Sequence, residues 1–266
     1  MYIKSYIPNP ILQEFIEEFV ILEVGYNEIV KDFYPNNAAL MCFDITQRHF
    51  RFGEEDFRFA PLSENVSLCF VGVLDRHYSV KSIPKKTIQV LFTPCGAYRF
   101  LRMKLSDFTN LATDAQLIMP GIKDTIAAME DLYADDLACI DLLQQYFINR
   151  LNSSKIRISE NMAQISYACD EIKRHAGDIA IKELCRRVNM SENRFRVHFS
   201  EKVGITPKAF CLTEKLIQLQ KTLQDKTDIN WIAMCEQLNY FDQAHFIKSF
   251  KSHFGCTPAQ FQKNNA

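Results

Sequence analysis

The C-terminal part of the chain repeats itself, and no other feature of the sequence narrows its fold as much. One copy, from Leu184 to Phe210, reads LCRRVNMSENRFRVHFSEKVGITPKAF; the other, from Met234 to Phe261, reads MCEQLNYFDQAHFIKSFKSHFGCTPAQF. Phe195, Phe199, Gly204, Thr206, Pro207 and Phe210 recur 51 residues later as Phe246, Phe250, Gly255, Thr257, Pro258 and Phe261. Upstream of the turn the offset is 50, so Leu184-Cys185 matches Met234-Cys235 and Asn189 matches Asn239. The second turn therefore carries one extra residue. A fold containing this stretch must build the same small unit twice.

The unit reads as a short helix, a tight turn and a second helix. Asn189 and Asn239 stand where the turn needs a left-handed backbone, which Asn tolerates better than most residues with a side chain. Ser191 and Asp242 follow as N-caps of the second helix. Phe195 with Phe199, and Phe246 with Phe250, form i,i+4 apolar pairs that dock the second helix on the first. Gly204 and Gly255 then end it as C-cap glycines.

The first 110 residues follow a different period. Ala39–Ile45, Val66–Val71 and Thr87–Phe92 are rich in branched and aromatic residues and are separated by Pro, Gly and Asn turns, a strand pattern. From Asp124 the apolar residues Ile126, Met129, Leu132, Leu137, Ile140, Leu143 and Phe147 recur at three and four, predicting one or two amphipathic helices. Asn152-Ser-Ser-Lys155 is the best linker candidate. The expected fold is therefore α+β in two domains. A β-rich sandwich or barrel with trailing helices at about 124–151 occupies residues 1–152, a linker 153–159, and an all-α domain 160–266.

A formal net charge of −1 argues at first sight against nucleic-acid binding, but the average hides an asymmetry. Residues 160–266 hold 15 Lys and Arg against 12 Asp and Glu, and residues 1–159 hold 16 against 20. No apolar run reaches the roughly eighteen residues of a spanning helix. Pro8, Pro10 and the acidic residues Glu14, Glu17 and Glu18 fit neither a signal nor a transit peptide. The 9 cysteines contain no CxxC and sit among apolar neighbours, so they read as small buried hydrophobes in a reducing cytoplasm.

The repeated residues, above all FIKSFKSHFGCTPAQF, resemble the AraC/XylS family of bacterial transcription regulators. The resemblance covers roughly Met162 to Asn264, and implies a seven-helix DNA-binding domain with two helix-turn-helix units joined by a long central helix, here Pro207 to about Gln224. Cys185 and Cys235 depart from the small Ala common in each first helix, and Asn239 from a Gly usual in the second turn. With Phe195 and Phe199 inward, the outer face of the first recognition helix is Asn193, Arg196, Val197 and Ser200. The second presents Ala244, Ile247, Lys248 and Lys251, with Gln243 at its start. Family positions matching Asn193, Arg196, Val197, Gln243, Ala244 and Lys248 supply base contacts. Asn and Gln pair with adenine, Arg and Lys with guanine, and Val197 or Ile247 can meet a thymine methyl. The apolar entries put hydrogen-bonded readout in doubt at 197, 244 and 247. Lys248 and Lys251 fit phosphate equally well. Arg186, Arg187 and Arg194 read as phosphate contacts or solvated charges, His198 and His245 as packing or capping residues, and Trp231 as core.

The resemblance implies double-stranded DNA and RNA polymerase as partners, and a cupin-like N-terminal module that binds an effector, dimerises, or both. The stretches FVGVLDRHYSV and IQVLFTPCGAYRFL look like such a module. Metal cupins need closely spaced ligands, whereas His49 and His77 lie 28 residues apart. Neither metal nor cofactor is expected. Some DNA-repair methyltransferases join a reactive-Cys domain to this helical module, but Pro94-Cys95-Gly96-Ala97 lacks their His and Arg and reads as a turn. His77 reads as an edge or loop residue rather than a pocket residue. The helices of 124–151 are taken as a homodimer interface, the other reading being a cover for the β-domain. The expectation is a cytoplasmic activator-type regulator and not an enzyme. Its alternative is a DNA-binding scaffold without a ligand, in which the N-terminal domain serves only dimerisation.

Overall fold

The computed structural model describes residues 2–23, 29–44, 58–59, 68–82, 86–153, 161–223, 229–238, 240 and 242–264. The N-terminal half is built on β1 (Tyr2–Tyr6), β2 (Ile16–Glu23), β3 (Ile29–Phe33), β4 (Leu40–Asp44), β5 (Arg58–Phe59), β6 (Leu68–Val71), β7 (Tyr78–Ser82), β8 (Lys86–Phe92) and β9 (Leu111–Asp114). Seven of these form one sheet in the order β1-β2-β8-β4-β6-β9-β5, and β3 pairs with β7 as a separate ribbon. Among the described residues every strand pairing is antiparallel except that of β5 with β9.

Alternation along the central strands explains the layering. On β4, Met41 and Phe43 point into the main core while Leu40 and Cys42 point to the opposite face. There Cys69, Val71 and Ala112 meet Tyr78 and Phe33 of the ribbon. A strand covered on both faces reads as a continuous apolar run, as LMCF does. The main-core face is closed by α1 (Gly96–Leu101), α2 (Ile122–Asp131) and α3 (Asp136–Ser153). Phe100 lies 4.8 Å from Phe147 and 6.0 Å from Phe92 between ring centres. Pro94-Cys95 is the expected turn, and it opens directly into α1, a helix that the sequence pattern did not announce.

The trailing helices spend most of their apolar residues within the chain, although Leu132 and Leu137 are exposed. Ile126, Met129, Cys139, Ile140, Leu143 and Phe147 all belong to the main core. The outward residues of α3 include Asp141, Gln145 and Asn149 beside the exposed Leu137. Most of the apolar seam expected to face a second copy thus covers the β-domain, as in the other of the two readings. The expected linker at 153–159 begins at the last residue of α3 and otherwise lies outside the described residues.

The helical half comprises α4 (Met162–Arg174), α5 (Ile181–Arg187), α6 (Glu192–Val203), α7 (Pro207–Leu223), α8 (Trp231–Gln237), α9 (Gln243–Phe254) and α10 (Pro258–Asn264). Its first unit shares one core with the β-domain, since Ile165, Cys169, Leu184, Phe195, Phe199 and Phe210 join the same cluster as Phe70, Phe92 and Phe147. The second unit packs separately, around Leu216, Leu219, Phe246, Phe250 and Phe254.

Candidate nucleic-acid interface

Each recognition helix is set by the devices that its repeat encodes. Asn189 takes the left-handed conformation (φ 53°), and the Met190 N–H donates to the Cys185 carbonyl at 3.0 Å, closing the first turn. Asn239 lies outside the described residues. Ser191 caps α6 by accepting from the Arg194 N–H at 3.4 Å, and Asp242 caps α9 by accepting from the His245 N–H at 2.7 Å. Gly204 (φ 104°) and Gly255 (φ 75°) end the same two helices. The Phe pairs are buried, with ring centres 5.5 Å apart in α6 and 5.8 Å in α9.

Pinning one face of each helix presents the other. Asn193, Arg194, Arg196 and Val197 are exposed and Ser200 is half-buried. Gln243, Ala244, Ile247, Lys248 and Lys251 are exposed on α9. Val197 and Ile247 stand 48% and 42% open to solvent, an arrangement no core requires. Arg196 Nη2 donates to Asn193 Oδ1 at 3.2 Å, so the two strongest candidate base readers are neighbours one turn apart. The two faces differ in chemistry: an Arg–Asn pair on α6, two lysines around an isoleucine on α9.

Not every basic residue is available. Arg187 Nη1 pairs with Glu171, a carboxylate with no exposed surface in α4, and its Nε bonds Glu183 at 3.1 Å. Arg174 reaches Glu171 as well. A buried carboxylate without cations would be costly, so Arg187 ties α5 to α4 rather than waiting for a phosphate. Arg186 pairs with Glu183 on the exposed side. Trp231 is half-buried: its indole N–H donates to Gln262 Oε1 at 2.8 Å and its ring lies 5.2 Å from Phe250. His245 packs beside Tyr240 at 5.1 Å as well as donating to the cap. His198 is half-buried, 3.8 Å from Glu201.

Several polar residues at the junction of the halves escaped sequence reasoning. Lys202, at the end of α6, is buried with its ammonium 5.3 Å from the centre of the Tyr98 ring. The Asn37 amide donates to the Phe210 carbonyl at 3.0 Å and to Glu214 Oε1 at 2.8 Å. His253, on the inner face of α9, is buried, and its Nε2 has no hydrogen-bond partner. Burial, then the neighbouring His77, push its pKa down to about 4. Nothing in local sequence marks these residues, because their partners lie in the other half. Among the described residues no group of His, Cys, Asp and Glu is placed to hold a metal, and eight of the cysteines are buried, none of them in a disulfide.

These units, paired and joined by one long helix, define a double helix-turn-helix protein. Comparison with known proteins agrees: residues 184–264 match the helix-turn-helix domain family, and residues 4–114 match a domain of unknown function, DUF6597. An uncharacterized HTH-type transcriptional regulator of Haemophilus influenzae is 29% identical over 87 residues, which are 33% of this chain and 29% of that relative. The RCS-specific HTH-type transcriptional activator RclR of Escherichia coli is 22% identical over 205 residues, 75% of this chain and 69% of RclR. Among solved structures, ToxT of Vibrio cholerae is 10% identical with a TM-score of 0.44, covering 94% of this chain and 98% of that one. Residues 184–264 thus carry an AraC-type helix-turn-helix domain, and the relatives matched there are helix-turn-helix transcriptional regulators.

Proposed function

We propose that this AraC-type regulator binds specific DNA sequences by placing α6 and α9 in successive major grooves, about one helical turn (roughly 34 Å) apart on one face. One observation carries the reading: at equivalent positions of the repeat, both helices are pinned by buried Phe pairs while Asn193, Arg196 and Val197 on one and Gln243, Ala244, Ile247, Lys248 and Lys251 on the other stay open to solvent. Asn193, Arg196 and Gln243 read bases, Val197, Ala244 and Ile247 make apolar contact, and Lys248 and Lys251 hold base or phosphate. Arg194 and Ser200 flank these contacts. The division into residues 1–152 and 160–266, homodimerisation, contact with RNA polymerase, a cytoplasmic location and the absence of catalysis belong to the same reading. Selection from a random duplex pool tests it. Enrichment of a paired sequence motif is expected, and enrichment of none would overturn it.

Effector control is favoured over a ligand-free scaffold by a cavity of about 440 Å³ at the junction of the halves. Glu17, Tyr34 and Asn36 of the β-domain face Lys173, Glu214 and Lys221 of the helices across it. A molecule bound there would touch both halves and bias one arrangement over another. A thermal-shift screen decides, because a ligand that binds the folded chain raises its melting temperature.

A further inference from the structure

The β-domain touches both recognition helices at their C-terminal ends, and it does so through one piece. The last carbonyls of a helix have no partner within it. On α6, the Thr109 hydroxyl donates to the carbonyl of the C-cap Gly204. On α9, the His77 N–H donates to the Ser252 carbonyl at 2.7 Å. Both C-cap glycines face this surface closely. A Cβ on Gly204 would lie 3.4 Å from Val73 Cγ2 and from the Leu105 carbonyl, and one on Gly255 only 2.5 Å from His77 Nδ1. Gly204 and Gly255 are the same position of the repeat, so the absence of a side chain serves the left-handed cap and also admits the β-domain.

The segments that reach the two helices, 72–77 and 105–111, are tied together. The Asn110 N–H donates to the Val73 carbonyl at 3.1 Å, and the Gly72 N–H to the Leu111 carbonyl at 3.0 Å. The Asn110 side chain accepts from the Asp75 N–H at 3.0 Å and donates to Asp75 Oδ1 at 2.9 Å. Asn110 itself holds a left-handed backbone (φ 56°). His77 is steadied by Asp32 at 3.0 Å and by the Tyr34 ring at 5.2 Å. Residues that contact α6 and residues that contact α9 thus move together, while the outward faces of both helices stay clear of the β-domain.

We propose that this bracket is a spacing gauge: by holding the C-caps of α6 and α9 on one rigid piece, the β-domain fixes the separation and tilt of the two DNA-reading helices, and so the permitted distance between half-sites. The inference rests on the DNA reading above. Thr109, Asn110 and His77 are positioning residues that touch no base.

The test uses the full-length chain and the paired motif selected by the wild type, with one base pair inserted or deleted between the half-sites. The wild type is expected to lose affinity sharply on either change. Thr109→Val removes the hydroxyl donor, and Asn110→Gly cuts both side-chain ties while keeping the left-handed backbone easy. A bonded contact of this kind corresponds to about two- to tenfold in an equilibrium. Each variant should therefore shrink the spacing penalty by about that factor, and Thr109→Ser, which keeps the hydroxyl, should retain the wild-type penalty. Circular dichroism and melting identify a variant that has merely unfolded, and the other variant then decides. A full wild-type penalty in every folded variant overturns the gauge and leaves the DNA reading intact. A wild-type chain that selects no paired motif overturns the reading, and the gauge with it.

Discussion

The two helix-turn-helix units start from one template and are stabilised in different ways. The first continues the core of the β-domain: Phe195, Phe199 and Phe210 belong to the same buried cluster as the strands of the sheet. The second has a cluster of its own, in which Trp231, Phe246, Phe250, Phe254 and Phe261 stack within 6.3 Å of one another along a chain of ring contacts. It meets the β-domain at the end of α9, around His77 and Tyr34. Repetition in sequence therefore does not imply equal stability. A unit that shares a large core opens only with it, whereas a unit with a small separate core can open alone.

The sharpest way to break this contrast is truncation of equivalent core rings. Phe250→Ala should cost about 3–5 kcal/mol, the range for losing a buried Phe. Amide exchange should then accelerate in α8–α10 while α4–α6 stay protected. The same truncation at Phe199 should loosen strands of the β-domain as well. Identical exchange patterns from the two variants would show the units to be energetically equivalent.

Acid offers a second, somewhat smaller lever. The His253 pKa is depressed to about 4 by burial first and by the neighbouring His77 second; Asp32 is in turn paired with His77. A histidine held neutral when folded contributes stability above its unfolded pKa, and that contribution is lost as pH falls toward the folded value. On the order of 3 kcal/mol should disappear between about pH 6.5 and 4. The loss should fall on the second unit first. Replacing His253 with Phe should flatten the dependence in amide-exchange or melting profiles across that window; an unchanged profile would assign the acid sensitivity elsewhere.

The recognition faces give the smallest expected effects and the most specific ones. Arg196→Ala should weaken binding by about 1–3 kcal/mol and relax one base preference. Lys248→Ala should weaken all sequences alike and lower the salt slope by about 1. Specificity lost at Lys248 and uniform loss at Arg196 would exchange the roles assigned to the two helices.

Much of this was legible in the chain because it is local. Turn chemistry at Asn189, caps at Ser191 and Asp242, C-cap glycines and i,i+4 Phe pairs each involve residues a few positions apart, so the repeat displays them directly. The strands at 40–44, 68–71 and 86–92 follow from their branched and aromatic runs. The role of Arg187 was not legible for the opposite reason: its partner Glu171 lies 16 residues away on another helix. The apolar stripe of α2 and α3 showed that something is covered, and an apolar stripe carries no record of what covers it.

The sequence by itself determined the repeated unit, the outward residues of its recognition helices and the presence of a β-rich partner half. Those are consequences of backbone preference and side-chain period, which act over a turn or two. Only the tertiary structure decided that the partner half shares its core with one unit and not the other, and that α3 packs inward. It also decided that Thr109 and His77 meet the ends of both DNA-reading helices. Such contacts join residues as far apart as 95 and 175 positions, and no local preference encodes which distant surface will offer a donor to an unfilled helix-end carbonyl.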